Sequence, residues 1–208
     1  VFERQANISM DDPAYVAFSS GSTGIPKGIQ HNMHSIVNNI YHSLQIFSLT
    51  PDSAVLVDRS LAYAGGLLFG TGSMIFGATL VNVASDLHMK DKNKAIQIFI
   101  DAFSNHNVTH MLLIQAHVHD MAHFAKENKF NPGCFRVGMT AGQPMSKDLL
   151  DKFTSTFKGA KLLNTYGTTE TNFITTGTLA DFDAGIQRTS AGRPIPHFEI
   201  KITDKRNR

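Results

Sequence analysis

The sequence contains no tryptophan, a single cysteine and only 17% charged residues. One thiol, Cys134, cannot build an internal disulfide framework, and such sparing use of cysteine fits a reducing, cytoplasmic compartment. Its place at the start of an expected strand gives it a structural reading. A net charge of +2 over 208 residues leaves no electrostatic footprint for nucleic acid. Ten histidines would make the chain cationic in mild acid. Long apolar runs are absent too: the least polar stretch, Leu61 to Ala84, is broken by Tyr63, Thr71, Ser73, Thr79 and several glycines, so it is expected to be core and not a membrane span. Residues 1–12 are polar and do not read as a signal peptide. The lack of a starting methionine is expected of a processed product or a piece of a longer chain. There is no internal repeat and no low-complexity linker. What remains is globular composition, 42% hydrophobic, enough for one domain or a large part of one.

Expected strands and helices alternate along the chain. Tyr15 to Phe18 is a short apolar run and reads as a strand. Apolar residues at 33, 36, 37, 40, 41, 44 and 47 mark one face of a helix, with Asn32 as N-cap and Pro51 helping to stop it. Val55 to Val57 and Thr79 to Val83 read as strands around a buried, glycine-containing helix from Gly66 to Phe76. Lys94 to Phe103 is amphipathic, Val108 to Ile114 strand-like, Val118 to Phe124 helical and Phe135 to Met139 a strand. Lys147 to Phe157 is a helix capped by Ser146, and Lys161 to Asn164 and Phe198 to Ile202 are further strands. This alternation predicts an α/β fold with a largely parallel sheet flanked by helices. Ligands of such sheets sit at the carboxyl ends of the strands.

One segment leaves such an end. Residues 19–28 read SSGSTGIPKG, with glycines at 21, 24 and 28. Glycines free the backbone to aim N–H groups inward, as in an anion nest. Ser19, Ser20, Ser22 and Thr23 add hydroxyls, and Lys27 a mobile cation suited to terminal phosphates. A solvated turn has the same composition. The order Pro26-Lys27-Gly28 is not that of a Walker loop.

The longer string YVAFSSGSTGIPKG, residues 15–28, closely resembles the signature loop of the adenylate-forming superfamily: acyl- and aryl-CoA synthetases, luciferase-like enzymes and the adenylation domains of peptide synthetases. Only Ser19 departs from the family pattern, and it keeps a hydroxyl. TAGQP at 140–144, NTYGTTE at 164–170 and AGRPIPHFEIKITD at 191–204 resemble further family segments in family order. The resemblance covers nearly the whole chain.

The resemblance implies ATP-dependent activation of a carboxylic acid to an acyl-adenylate with release of pyrophosphate. The acyl group then passes to a thiol of coenzyme A or of a phosphopantetheinyl carrier protein. Because the nucleophile is already anionic, the chemistry asks for phosphate charge neutralisation more than for a general base. The nucleotide would be held by Ser19, Ser20, Gly21, Ser22, Thr23, Gly24 and Lys27, by Gly142, Gln143 and Pro144, and by Asn164, Thr165, Tyr166, Gly167, Thr168 and Thr169. Lys27, Thr169 and Glu170 would be the catalytic set. Thr169 would donate to the α-phosphate and Glu170 would ligate Mg²⁺. Tyr166 would stack on adenine, Asn164 would bond its exocyclic amine, and Gly142 would let backbone approach the other face. Gln143 stands where the family often has Glu. Taken singly, Tyr166 also reads as a core aromatic and Glu170 as a helix N-terminal carboxylate.

Family spacing also places the acyl pocket. Tyr63 falls where the family has a gating aromatic or histidine. Ala64 falls where amino-acid-activating domains carry aspartate, and an uncharged residue there disfavours a substrate ammonium. Gly65, Leu68, Leu112, Met139, Ala141, Thr165, Phe173 and Ile174 complete a mainly apolar lining, suited to a fatty, branched or aromatic acid; Leu112 and Ile174 read equally well as core. His119 and His123, four apart on a helix with His117 nearby, read either as a metal face or as exposed histidines, and no cysteine or carboxylate cluster completes a site. The family's Tyr-x-Thr-Gly-Asp motif and its lysine-bearing C-terminal domain are absent from the chain, so it is expected to be the central part of the large N-terminal domain, poorly active alone. A non-catalytic nucleotide- or acyl-binding module and a purely structural α/β domain are the competing readings; Lys27, Thr169 and Glu170 together argue against the second.

Overall fold

The computed structural model describes residues 7–19, 25–83, 92–128, 130, 132–143, 146–178 and 190–204. In chain order, β1 (Pro13–Ser19) and β2 (Lys27–Asn32) lead into α1 (Met33–Ile46). There follow β3 (Ala54–Val57), α2 (Ala64–Ile75), β4 (Thr79–Asn82), α3 (Lys92–His106), β5 (His110–Leu113) and α4 (Gln115–Asn128). Then come β6 (Val137–Ala141), α5 (Lys147–Thr156), β7 (Lys161–Thr168), β8 (Asn172–Thr178) and β9 (Arg193–Pro194). Seven strands form one sheet in the order β4-β3-β5-β6-β7-β8-β9. The first five of these run parallel, and β8 and β9 add antiparallel edges. The expected α/β class and mostly parallel sheet are therefore present. No helix among the described residues is long and apolar enough to cross a membrane.

Strand periodicity divides the core between the two sheet faces. Leu56, Met111, Leu113 and Leu162 face one way and meet Phe99 and Phe103 of α3, Val118 and Met121 of α4, and Leu149 and Phe153 of α5. Val55, Val57, Leu112 and Leu163 face the other way, against Ile36, Ile40 and Leu44 of α1 and Phe69 of α2. Both faces are covered, which is the arrangement a parallel sheet of continuous apolar strands requires. Phe153 and Phe69 are fully buried, so truncating either to alanine would cost about 3–5 kcal/mol.

Both expected N-caps form: Asn32 Oδ1 accepts from Ser35 N at 2.8 Å and Ser146 Oγ from Leu149 N at 3.1 Å. Several expectations need correction. Pro51 does not stop α1, which ends at Ile46 with Phe47 as C-cap and with Ser48, three residues before the proline, in the left-handed region at φ 60°. β2 and β8 are strands that local pattern missed. Phe198 to Ile202 is not a strand: among the described residues it has no ladder partner and the last strand is Arg193–Pro194, and Ile202 is 93% exposed. Cys134 lies not at a strand start but in an exposed turn three residues before β6, 3.8 Å from Asn107 Oδ1.

Candidate active site

Lys27 opens β2, directly across from Ser19 at the end of β1. The phosphate-loop candidate therefore spans the tip of an antiparallel hairpin that is separate from the main sheet, rather than a strand-to-helix turn. Ser20, Gly21, Ser22, Thr23 and Gly24 lie outside the described residues, as does Pro144. Ser19 and the exposed Lys27 frame the segment at its base.

Two side chains of the hairpin and one of α1 tie these elements to the β7–β8 turn and the start of β8. His31 is 4% exposed, stacks on Tyr15 with ring centroids 4.9 Å apart, and lies with Nε2 2.8 Å from the Thr169 carbonyl. A carbonyl only accepts, so Nε2 carries the hydrogen. Tyr15 donates its hydroxyl to Asn172 Oδ1 at 3.4 Å, and burial raises its pKa, which keeps it a donor. Asn39 of α1 donates to the carbonyls of Phe173 and Thr171 at 2.7 and 3.3 Å. The strands that flank residues 19–27 are thus joined to the turn and to the start of β8 through His31 and Tyr15, and α1 through Asn39. None of these was singled out from sequence. The available signal was the alternation of β2, which puts a histidine two residues after half-buried Ile29 on the inward face.

Glu170 sits in this turn and not at a helix N-terminus. The turn is closed by Thr168 N donating to Thr171 Oγ1 at 3.1 Å, with Asn172 in the left-handed region at φ 55°. Gly167 occupies a register irregularity where an added Cβ would overlap the Asn172 carbonyl, so only glycine fits. The Glu170 carboxyl is held below its ordinary range chiefly by hydrogen bonding to Thr168, with smaller help from its own backbone N–H, His31 and Lys27. It is exposed and ionised near neutrality. Gly142, at φ 88° just past β6, has nothing within 4 Å of the place a Cβ would occupy. Tyr166 is 49% exposed at the end of β7 and is not a core aromatic, and Gln143 is exposed. Asn164 and Thr165 instead face the interior. Asn164 Nδ2 donates to the Ser190 carbonyl at 3.5 Å and Thr165 Oγ1 to the Thr140 carbonyl at 2.9 Å, so only the donor end of the Asn164 amide is engaged.

Tyr63, Ala64, Gly65, Leu68, Leu112, Ala141 and Phe173 line one cavity of about 180 Å³, as the spacing argument expects. Gly167, Thr168 and Thr169 close its end, so Thr169 belongs to both the turn and the cavity. Met139 does not line it. At 1% exposure it lies in the core with Leu163 and Phe173, and Thr165 and Ile174 are outside the lining as well. Arg59, Leu113, Ile114 and Asn172 line it unexpectedly. A second cavity of about 440 Å³, bordered by His31, His34, His42, His197 and Glu170, opens on the other side of the turn. His119 and His123 sit elsewhere: His119 contacts Lys152 at 3.1 Å and His123 lies 3.5 Å from Glu127. Among the described residues no group of three His, Cys, Asp or Glu side chains is arranged to hold a metal. Glu170 is a lone carboxylate, the donor set suited to a hard cation otherwise held by phosphate oxygens and water. With an open backbone at Gly142, a half-exposed Tyr166 and an ionised Glu170 within electrostatic reach of Lys27, these residues fit a magnesium-bound nucleotide.

Comparison with known proteins places this mostly parallel α/β fold in a family. The family model described as AMP-binding enzyme matches residues 2–208. Polyketide synthase PksN of Bacillus subtilis is 27% identical over 201 residues, covering 92% of this chain and 4% of that protein. The mitochondrial medium-chain acyl-CoA ligase ACSF2 of Bos taurus is 27% identical over 205 residues, covering 96% of this chain and 32% of that protein. The structure of o-succinylbenzoate CoA synthetase MenE of Bacillus subtilis in complex with the acyl-adenylate intermediate OSB-AMP superposes with a TM-score of 0.78 at 25% identity, covering 95% of this chain and 38% of that one. The chain belongs to the AMP-binding, adenylate-forming enzyme family. It spans only 3% to 36% of the length of the first curated relatives it matches.

Proposed function

We propose that this chain carries the nucleotide and acyl sites of an acid–thiol ligase that activates a carboxylic acid with ATP, releasing pyrophosphate and passing the acyl group to coenzyme A or a carrier-protein thiol. The carrying observation is that Thr169 both walls the apolar cavity and stands next to Glu170 in one turn. An acid seated in the cavity would present its carboxylate where the Thr169 hydroxyl can meet an α-phosphate. Lys27 and the 19–24 segment would neutralise the leaving pyrophosphate, Glu170 would hold Mg²⁺, and Tyr166, Gly142 and Gln143 would flank adenine. Bound Mg²⁺ would supply charge neutralisation to the phosphates. Ala64 and the apolar lining favour an acid without a charged amino group, fatty, branched or aryl.

Pyrophosphate exchange by the protein at its natural length, across a panel of carboxylic acids, tests this reading. Acid-dependent exchange that falls at least about 100-fold in Glu170→Ala and Lys27→Ala supports it. Nucleotide binding without exchange for any acid would replace the ligase with a non-catalytic binding module.

A further inference from the structure

The apolar cavity contains one cation. Arg59 follows β3 and lines the cavity beside Gly65; its Nη1 is 3.9 Å from where a Cβ on that glycine would sit. It is only 24% exposed at the side chain. The guanidinium is fixed from behind. Asp58 Oδ1 accepts from Nε at 2.8 Å and Asp58 Oδ2 from Nη2 at 3.1 Å. Asp58 is held in turn by His117 Nε2, 3.2 Å from Oδ2. His117 Nδ1 accepts the backbone N–H of Ile114 at 3.3 Å, which leaves the hydrogen on Nε2, pointing at Asp58. This relay locks the guanidinium plane, and among the described residues no acceptor engages Nη1. An arginine so placed is a preorganised donor and not a solvent-swept surface charge.

The charge balance decides what it can receive. Asp58 already matches the single positive charge of Arg59, so a second carboxylate would enter the cavity without a counter-ion, which is costly. A neutral carbonyl oxygen carries no such penalty and would satisfy Nη1. We propose that Arg59 is a specificity-determining residue: the acid activated carries a neutral carbonyl, as a ketone, amide or ester, on its acyl portion, which accepts a hydrogen bond from Arg59. This rests on the ligase reading and sharpens its substrate class.

The test compares acids of identical carbon skeleton that differ only in a ketone oxygen, together with the matched dicarboxylates, in pyrophosphate exchange by the protein at its natural length. The wild type should favour one keto acid over its plain counterpart by about 10- to 100-fold in kcat/KM, the range for a hydrogen bond to a charged group. Arg59→Met should erase that preference, so that the kcat/KM ratio between the keto acid and its plain counterpart falls to about 1. Since Arg59→Met strands a buried carboxylate, the double variant Arg59→Met/Asp58→Asn is measured beside it and should give the same loss of preference. Equal use of every pair, preference for a dicarboxylate, or discrimination that survives in the double variant would overturn the proposal while leaving adenylation intact. Absence of exchange with every acid would remove the ligase reading itself, and the Arg59 assignment with it.

Discussion

Replacing His31 tests whether the hairpin and the β7–β8 turn act as one clamp. His31→Leu keeps an apolar ring-sized filler against Tyr15 but removes the Nε2–H bond to the Thr169 carbonyl, 2.8 Å long. A half-buried acceptor left without its donor costs at most about 1–3 kcal/mol. For a domain of this size that corresponds to a fall in melting temperature of roughly 2–10 °C. The same carbonyl belongs to the residue expected to address the α-phosphate, so freeing it should also weaken Mg·ATP binding by about 5- to 30-fold, the equivalent of about 1–2 kcal/mol. Isothermal calorimetry of Mg·ATP binding, with the melting temperature measured on the same samples, reads both effects. His31→Gln, whose amide can donate from a similar reach, should recover a good part of each, and Tyr15→Phe, which loses only a 3.4 Å contact, should do little. A lowered melting temperature with unchanged nucleotide affinity would show that His31 supports the fold without ordering the site. No change in either would refute the clamp.

Two further outcomes follow from the site and the core. Ala64→Asp would place a carboxylate against Leu68 and Phe173 in the acyl cavity; exchange with an apolar acid should fall by about 10-fold or more, whereas an unchanged rate would mean Ala64 does not contact the acid. Burial lowers His110 and His117 from 6.5 to about 4, so between those values the unfolded chain binds protons that the native one refuses. Stability from these groups is complete above pH 6.5 and declines on acidification, by about 2 kcal/mol each at pH 5. Urea midpoints at pH 7 and pH 5 measure it, and a chain equally stable at both would contradict the burial of neutral imidazoles.

The features legible in sequence are those set by neighbours along the chain. Asn32 and Ser146 cap helices through bonds three residues long, and β3, β5 and β7 announce themselves as apolar runs that must be covered on both faces. β2 and β8 escaped because their identity depends on partners: Lys27 to Asn32 is polar and becomes a strand only against β1, and β8 is rich in threonine and pairs with β7 and β9. Phe198 to Ile202 has the alternation of a strand but pairs with no strand among the described residues, so the pattern alone misled. Within the site, the ordered motifs pointed to Glu170, Thr169 and most of the cavity. Met139 was read as lining, yet register turns it into the core, while Asn164 donates Nδ2 to the Ser190 carbonyl and keeps Oδ1 as an acceptor. Arg59 lay outside the family spacing, and its importance comes from Asp58 and His117, the latter more than fifty residues away.

The claim that a carboxylate oxygen attacks the α-phosphate can be followed atom by atom. The protein at its natural length is supplied with ATP, a thiol acceptor and an acid that supports exchange, labelled with ¹⁸O in its carboxyl group. The AMP released is weighed by mass spectrometry. Attack at the α-phosphate followed by acyl transfer leaves one ¹⁸O in AMP and none in pyrophosphate. Unlabelled AMP, or label in orthophosphate accompanied by ADP, would contradict the account.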